Sequence, residues 1–162
     1  MRPSRVPETL RRGESASAAA ERLAREKTID VARRCRRGEI LGADTLVALG
    51  RRILGKPSDA ADARRMLRLL SGRRHRVITG VALCAAGGRL IDSARSVTVV
   101  TFRRLSRADI DWYVSTHDSL DKAGAYGIQS GAGLFVTEIR GSYTNVVGLP
   151  LELVYRMLGL PA

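Results

Sequence analysis

Two runs rich in β-branched residues, separated by a short glycine-containing link, constrain the fold of this chain more than any other feature. The runs occupy residues 76–85 and 89–104, and Ala86, Gly87 and Gly88 lie between them. Val, Ile and Thr favour strands, and a glycine-containing link of this length is typical of a turn between antiparallel strands. The sequence therefore predicts a long β-hairpin.

The remaining segments alternate between helical and strand patterns. Some repeat their apolar residues at helical spacing, and others are short apolar runs bounded by turn residues. Helices are predicted over 17–37, 58–72, 106–114 and 150–159, strands over 39–49 and 134–139, and a loop rich in small residues over 118–133. This alternation, together with the hairpin, predicts an α/β fold with a mixed sheet, in one domain that spans residues 1–162.

The predicted helix ends rest on capping residues. Ser58 is placed at the N-cap of the second helix, and Ser106 with Asp109 three residues later predicts a capping box at the start of the third. Gly38 is predicted to close the first helix, and Pro150 to occupy the first helical position of the last one.

The net charge narrows the class of partner. The chain carries a formal charge of +12, which favours a polyanionic partner. Aromatic residues make up only 4%, which is poor for stacking on single-stranded nucleic acid, and the arginines are spread in pairs rather than gathered in one stripe. Nucleic-acid binding is therefore not expected to be the main function.

Apolar runs and cysteines indicate the cellular location. No stretch of about 18 consecutive apolar residues is present, so a membrane span is not expected. The Arg- and Ser-rich N-terminal residues lack the apolar centre of a secretory signal. Cys35 and Cys84 have no metal-ligand spacing and are expected to be free thiols. These features predict a cytoplasmic protein.

Almost all basic residues of the chain are arginine. Lys and Arg number 28 together, and only Lys27, Lys56 and Lys122 are lysine. A position that stays lysine in so biased a chain is a candidate for needing a compact ammonium charge. Ammonium groups from separate segments suit a polyphosphate, whose oxygens carry charge in three dimensions. The alternative is that the three lysines survive by chance.

One acidic residue and one lysine interrupt apolar patterns. Asp44 lies within an apolar predicted strand, where an unpaired charge would be costly. Two interpretations are open: a carboxylate at a strand end or bulge that caps a turn, or a metal ligand or general base at the rim of a sheet. Lys27 shares the apolar face of the first helix with Leu23 and Val31. It either snorkels at the edge of that face or points into a cleft.

Two loops carry residues that suit a ligand. Gly55, Lys56 and Pro57 place a lysine in a rigid turn just before a helix start, a location that favours anions, although the spacing is not that of a P-loop. Small residues in the segment 121–129 allow close backbone approach, and the segment ends in Gln129, whose amide can donate and accept. The alternative is an ordinary surface loop.

Several longer strings occur in this order along the chain: ADT, ILGKP, LSGRRHRVITGVAL, TFRRLS, DKAGAYGIQ and NVVGLPLEL. Together, from Pro3 to Leu158, they resemble the Maf family of nucleoside triphosphate pyrophosphatases in both order and spacing. The resemblance implies a fold like that of inosine triphosphatase, with a cleft between two lobes. It also implies hydrolysis of nucleoside triphosphates to the monophosphate and pyrophosphate, with a divalent metal, Mg²⁺ or Mn²⁺, as cofactor.

The resemblance implies roles for single residues as well. Asp44 matches the family's proton acceptor, Lys56 and Glu8 are the further catalytic residues, and Asp44 and Glu8 are the expected metal ligands. The residues expected to contact the substrate are Lys27, Thr45, Asp121, Lys122 and Gln129.

The identity of one side chain selects a branch of the family. The Ile-Gln string that ends at Gln129 matches the branch that prefers dTTP and UTP, whereas a Glu at that place marks the branch that acts on 7-methyl-GTP. The expected partner is thus a nucleoside triphosphate, with no membrane partner. A homodimer is left open.

Three departures from the family pattern motivate alternative functions. Family members open with a strand and a Ser-x-x-Arg loop that holds phosphate, whereas this chain is expected to be truncated before Glu8 relative to them. Pro7 replaces an acidic residue, and Ser130 replaces a glycine. The alternatives are therefore a catalytically impaired nucleotide-binding relative or a basic nucleic-acid-binding module.

Overall fold

The computed structural model describes residues 2–160 as a twisted sheet with helices packed on it. The strands are β1 (Glu39–Leu49), β2 (Arg52–Leu54), β3 (Arg74–Ala85), β4 (Leu90–Phe102) and β5 (Val136–Arg140). They form one sheet in the order β2-β1-β3-β4-β5, and every pairing in the described residues is antiparallel. The predicted hairpin is confirmed as β3 and β4.

The helices complete the predicted combination of α and β structure. They are α1 (Ala16–Arg33), α2 (Ala60–Leu70), α3 (Arg107–Ser115), α4 (Tyr143–Val147) and α5 (Leu151–Met157), with 3₁₀ turns at Ala123–Ala125 and Gly131–Phe135. Among the helices of residues 2–160, none has the length and apolarity that a membrane crossing requires.

The first helix ends four residues earlier than predicted. It stops at Arg33 instead of 37, because the hairpin turn meets it there: the Gly87 amide donates to the carbonyl of Ala32 at 2.9 Å. Gly38, predicted to close the helix, has a φ of 87° and leads into β1, where its carbonyl accepts from Ala86. A tertiary contact thus replaces the predicted glycine cap.

Of the predicted starts of the other three helices, one is confirmed and two are shifted. The capping box of Ser106 and Asp109 is confirmed. Ser58 is not the N-cap of α2, since Asp59 occupies that position and its side chain accepts from the Asp62 amide at 2.7 Å. Pro150 lies at the N-cap of α5, one position before the predicted one.

The predicted strand 134–139 is also shifted. Leu134 lies in a 3₁₀ turn and is 69% exposed, and β5 begins at Val136. The amide of Gly133 donates to the Ser130 carbonyl, which keeps the chain turned until it meets β4, where Val136 pairs with Phe102. The apolar character of Leu134 alone made it look like a strand residue.

The two faces of the sheet bury different side chains. Leu46, Ala48 and Ile78 pack against α1 in one apolar cluster. Val47 and Val77 point to the opposite face and join a larger cluster with α2 and α3. Because successive strand residues point to opposite faces, each strand contributes to both layers.

Helix α1 lies very close to the sheet because two strand positions beneath it are glycine. A side chain at Gly80 would overlap the carbonyl of Ala20, and one at Gly42 would overlap the side chain of Thr28. Glycine permits this approach since it has no Cβ. The close contact brings Lys27 of α1 over the middle of β1.

The edge of β1 leaves room for a site. β2 pairs only with residues 47–49 of β1, and in the described residues no strand pairs with the outer edge of β1 over 39–46. Side chains from both faces of β1 therefore border the same open space. Asp44 points to the face covered by α1, and Thr45 points to the other face.

Candidate active site

A cleft of about 360 Å³ lies at the open edge of β1. α1, β1, the turn before α2, the segment 121–129 and α4 contribute to its walls. All of the site residues predicted from the sequence border it: Glu8, Lys27, Asp44, Thr45, Lys56, Asp121, Lys122 and Gln129. The fold therefore gathers into one cleft residues that are spread over more than a hundred positions of sequence.

Asp44 occupies the middle of a regular strand. It pairs with Gly80 of β3 within an uninterrupted register, and its residue is only 8% exposed. The interpretation of Asp44 as a cap at a strand end or bulge is therefore wrong. A carboxylate this buried needs a charged or hydrogen-bonding partner.

That partner is Lys27. Its ammonium contacts the carboxylate of Asp44 and donates to Glu8 Oε1 at 2.7 Å. Lys56 Nζ lies 3.8 Å from the same Glu8 oxygen. Of the two interpretations of Lys27, the structure supports the one in which it points into a cleft. Two carboxylates and two ammonium groups thus form one connected cluster.

The cluster shifts the acidity of its members. Burial raises the pKa of Asp44 above its usual range, and the contact with Lys27 offsets only part of this effect. The hydrogen bond from Lys27 holds the pKa of Glu8 below its usual range. Burial opposes the charge on Lys27, but its contacts with Asp44 and Glu8 outweigh burial and raise its pKa. Asp44 is therefore the stronger base of the two carboxylates.

Thr45 belongs to a different, uncharged network on the other side of β1. Its Oγ1 lies 2.9 Å from Thr79 Oγ1, and Thr79 in turn donates to the backbone oxygen of Asn145 at 3.0 Å. Thr79 and Asn145 are completely buried. The sequence analysis missed both residues, because a Thr in a strand and an Asn at a helix start are unremarkable without their partners.

Gln129 borders the cleft. The residue is exposed, and within residues 2–160 its side chain makes no hydrogen bond. Both the donor and the acceptor of the amide are therefore available to a ligand.

Lys122 forms ion pairs within its own loop. Its ammonium donates to Asp118 Oδ1 and to Asp121 Oδ1, each at 2.8 Å. Lys122 and Asp121 both border the cleft, and this pairing fixes the start of the segment that carries Gln129. The expected contact of these two residues with the substrate stays a prediction.

A hydrogen-bond cluster that the sequence analysis missed supports the same segment. Tyr113 donates its hydroxyl hydrogen to Asp118 Oδ2 at 2.8 Å and accepts from the Gly127 amide at 2.9 Å. The hydroxyl of Ser130 lies against the Asp118 carboxylate and the Gly127 carbonyl. Ser130, noted above as a departure from the family pattern, is thus part of the loop's support.

A buried histidine supports the floor of the cleft. His75 is 2% exposed, and its Nε2 lies 2.8 Å from the hydroxyl of Tyr126, which borders the cleft. Burial lowers the pKa of His75 to about 4, so the ring is neutral at neutral pH. No sequence pattern distinguished this histidine from an ordinary strand residue.

The donor set for a divalent cation consists of two carboxylates. Within residues 2–160, no three His, Cys, Asp or Glu side chains converge as a complete metal site. Asp44 and Glu8 do converge, since both contact the ammonium of Lys27. Mg²⁺ characteristically binds one or two carboxylates and completes its shell with water and substrate phosphates. The pair therefore fits a cation that is shared with a polyphosphate.

Comparison with known proteins places this architecture in a family. The family model described as Maf-like protein matches residues 1–160. A dTTP/UTP pyrophosphatase of Anaeromyxobacter dehalogenans (strain 2CP-C) is 51% identical over 168 residues, covering 99% of this chain and 84% of the relative. Proteins of the same name from Koribacter versatilis and Thermococcus gammatolerans are 45% and 50% identical, covering 96% and 85% of this chain and 80% and 73% of the relatives. The chain belongs to the Maf family.

Proposed function

We propose that this chain is a nucleoside triphosphate pyrophosphatase that hydrolyses dTTP and UTP to the monophosphate and pyrophosphate. The observation that carries the proposal is a buried carboxylate of raised pKa, Asp44, held beside Lys27 and Lys56 in an open cleft. Relatives about half identical to this chain bear the name dTTP/UTP pyrophosphatase, which agrees with this chemistry.

The charged part of the cleft suits the triphosphate. Lys27 and Lys56 supply ammonium groups from two different segments, which suits phosphate oxygens that carry charge in several directions. Their positive charge would stabilise the negative charge that builds up on the leaving pyrophosphate. Asp44 and Glu8 would hold a divalent cation, Mg²⁺ or Mn²⁺, which when bound neutralises phosphate charge and polarises the phosphorus centre.

Asp44 is the proposed general base. A water molecule attacks the α-phosphorus, its oxygen forms the new bond, and the bond from the α-phosphorus to the bridging oxygen breaks. Asp44 takes the proton that the water loses, and the products are the monophosphate and pyrophosphate. Because burial raises its pKa, Asp44 is a better proton acceptor than an exposed aspartate.

The uncharged part of the cleft suits the base. Gln129 offers an amide nitrogen that can donate to O4 of uracil or thymine, and an amide oxygen as a further acceptor. Thr45 and the apolar Val77 and Val147 border the same cleft. Asp121 and Lys122 are proposed to contact the substrate from the loop that presents Gln129.

The test is release of pyrophosphate from a panel of triphosphates. The full chain is incubated with dTTP, UTP, CTP, ATP or GTP, with Mg²⁺ or Mn²⁺ supplied separately, and pyrophosphate and monophosphate are quantified. We expect dTTP and UTP to give the highest kcat/KM and no free orthophosphate to form. Binding of UTP without turnover would instead support the impaired nucleotide-binding relative, and steeply salt-dependent DNA binding would support the nucleic-acid-binding module.

Location and assembly are further proposals. Both cysteines are free thiols in the structure, Cys84 buried and Cys35 partly exposed, which suits a reducing cytoplasm. A homodimer remains a prediction, and sedimentation analysis of the full chain would measure it.

A further inference from the structure

The cleft is divided by the edge of β1 into two chemically different halves. Lys27, Lys56, Glu8 and Asp44 form the charged half, on the side of α1. The other half lies on the other side of β1 and contains Thr45 and Gln129 among apolar neighbours, which are Val47, Val77, Tyr126, Ile128, Val146 and Val147. We call it the uncharged half because Asp121 and Lys122, which also border it, are ion-paired with each other. If the triphosphate lies in the charged half, as proposed above, then the base reaches the uncharged half.

Hydrogen-bond directions in the uncharged half are fixed by counting hydrogens. Thr79 is completely buried, and its hydroxyl lies 3.0 Å from the backbone oxygen of Asn145, which can only accept. A hydroxyl has one hydrogen to donate. With that hydrogen on Asn145, the 2.9 Å contact between Thr79 and Thr45 is satisfied only if Thr45 is the donor.

The far end of this network is anchored firmly. The side-chain nitrogen of Asn145 donates to the carbonyl of Val77 at 3.1 Å and to Thr98 Oγ1 at 2.8 Å. Thr98 then donates to the carbonyl of Ser142 at 3.0 Å. The Asn145 backbone oxygen also accepts from the Gly148 amide at 3.0 Å. Turning the Thr79 hydrogen towards Thr45 would therefore leave Thr79 Oγ1 and the Asn145 backbone oxygen 3.0 Å apart with no hydrogen between them, which is unfavourable in a buried site.

The consequence concerns the surface that Thr45 shows to a ligand. Its hydrogen points away from the cleft, so only the lone pairs of Oγ1 face the substrate. Uracil and thymine in a nucleotide carry one N–H donor, at N3, whereas N3 of cytosine is an acceptor. An acceptor at Thr45 can therefore bond to uracil or thymine through N3 and leaves Gln129 free to donate to O4.

We infer that Thr79 is a positioning residue, which holds the Thr45 hydroxyl as a hydrogen-bond acceptor and so favours bases with a protonated N3. The inference rests on the proposed function and deepens it, since it predicts a preference for uracil and thymine over cytosine without any contact between Thr79 and substrate. Thr79 itself is not a catalytic residue.

The test compares three buried-threonine variants. Thr79→Val keeps the shape but removes the acceptor for the Thr45 hydrogen, so the Thr45 hydroxyl is free to rotate and donate to N3 of cytosine. We expect the ratio of kcat/KM for UTP to that for CTP to fall by about tenfold, mainly through KM. Thr79→Ser keeps the hydroxyl and should keep the ratio. As the matched control, Thr28→Val removes a buried hydroxyl that donates to the Ala24 carbonyl away from the cleft, and it should leave the ratio unchanged.

A modified substrate checks the atom that is recognised. The triphosphate of 3-methyluridine lacks the N3 donor. For the wild type, we expect kcat/KM to be lower with this substrate than with UTP. With this substrate, Thr79→Val should have nearly the same kcat/KM as the wild type. An unchanged UTP to CTP ratio in folded Thr79→Val, or the same drop in Thr28→Val, would overturn the inference. An equal loss for UTP and CTP would place Thr45 against the sugar and overturn it as well.

Different results would contradict the proposed function and this inference. If the wild-type chain releases no pyrophosphate from any nucleotide, the proposed function is wrong. Dissociation constants of UMP and CMP, measured by calorimetry for the wild type and Thr79→Val, then test the inference alone. A UMP to CMP preference that Thr79→Val leaves intact would overturn it there too.

Discussion

Two neighbouring residues of one strand serve opposite halves of the cleft. Asp44 enters a cluster of charges in which Lys27 bridges two carboxylates, and Thr45 enters a chain of directed, uncharged hydrogen bonds. Charges attract any triphosphate, since the phosphates are common to all nucleotides. Directed hydrogen bonds discriminate between bases. With the roles proposed for Asp44 and Thr45, side-chain alternation along one strand separates chemistry from selectivity.

This separation depends on the open edge of β1. Over 39–46 no strand of the described chain pairs with that edge, so both faces border one cavity. A fully paired strand would leave the two faces in separate layers. The predictions below change one half at a time and ask whether the other half responds.

The largest effect is expected in the charged half at Asp44. Asp44→Asn keeps the shape of the side chain but cannot accept a proton, so kcat for dTTP should fall by about 10²–10⁴-fold while the UTP to CTP preference persists. Single-turnover pyrophosphate release and equilibrium nucleotide binding measure the two quantities. Asp111→Asn, which alters an ion-paired aspartate on α3, is the matched control. Near-normal kcat in Asp44→Asn would contradict the proposed base.

The uncharged half should respond most strongly at Gln129. Gln129→Glu removes the donor and brings a negative charge towards O4, so kcat/KM for UTP should fall by about a hundredfold. Activity on 7-methyl-GTP, whose base is cationic, is expected to appear. A competition assay with UTP and 7-methyl-GTP measures the ranking. An unchanged ranking would show that Gln129 does not select the base.

Lys56 tests whether the charged half needs a compact ammonium. Its side chain is 56% exposed and lies 3.8 Å from Glu8, so Lys56→Ala should raise KM and lower kcat by about tenfold for UTP and CTP alike. Lys56→Arg should restore little of the activity, because a planar guanidinium does not replace a point charge. Full activity in the Arg variant would support survival of the lysines by chance.

His75 should have the smallest effect at neutral pH, where its ring is neutral in both the folded and the unfolded chain. Its pKa of about 4 lies below the ordinary 6.5, so between these values the unfolded chain binds a proton that the folded chain does not. Stability is therefore lost as the pH falls from 6.5 to about 4, by roughly 3 kcal/mol in total. Urea unfolding of the wild type and His75→Gln at pH 7 and pH 5 measures the difference. Equal pH slopes for the two proteins would exclude this role.

Local sequence patterns predicted most of the secondary structure. The bounds of β1, the hairpin of β3 and β4 and the capping box at Ser106 follow from short-range rules on residue type and spacing. One error arose where a distant segment intervened, and another where two neighbouring residues could both cap a helix. The hairpin turn ends α1 at Arg33, and Asp59 replaces Ser58 as the N-cap because its carboxylate reaches the Asp62 amide.

The residues of the candidate site also fall into those that the sequence predicted and those that it missed. The charged residues could be named from the sequence because a buried-looking aspartate and rare lysines are conspicuous by type. Thr79, Asn145, Asp118 and Tyr113 could not, since each is an ordinary polar residue whose role is defined only by its partners.

The sequence by itself determined which helices and strands form and which charged residues are candidates for the site. The reason is that hydrophobic period, capping and residue type act within a few positions. Only the tertiary structure decided that α1 approaches the sheet at Gly42 and Gly80 closely enough to place Lys27 on Asp44. Only the tertiary structure also decided the direction of the hydrogen bond at Thr45. That direction depends on the contact of Thr79 with the Asn145 backbone oxygen, a group far away in sequence that can only accept.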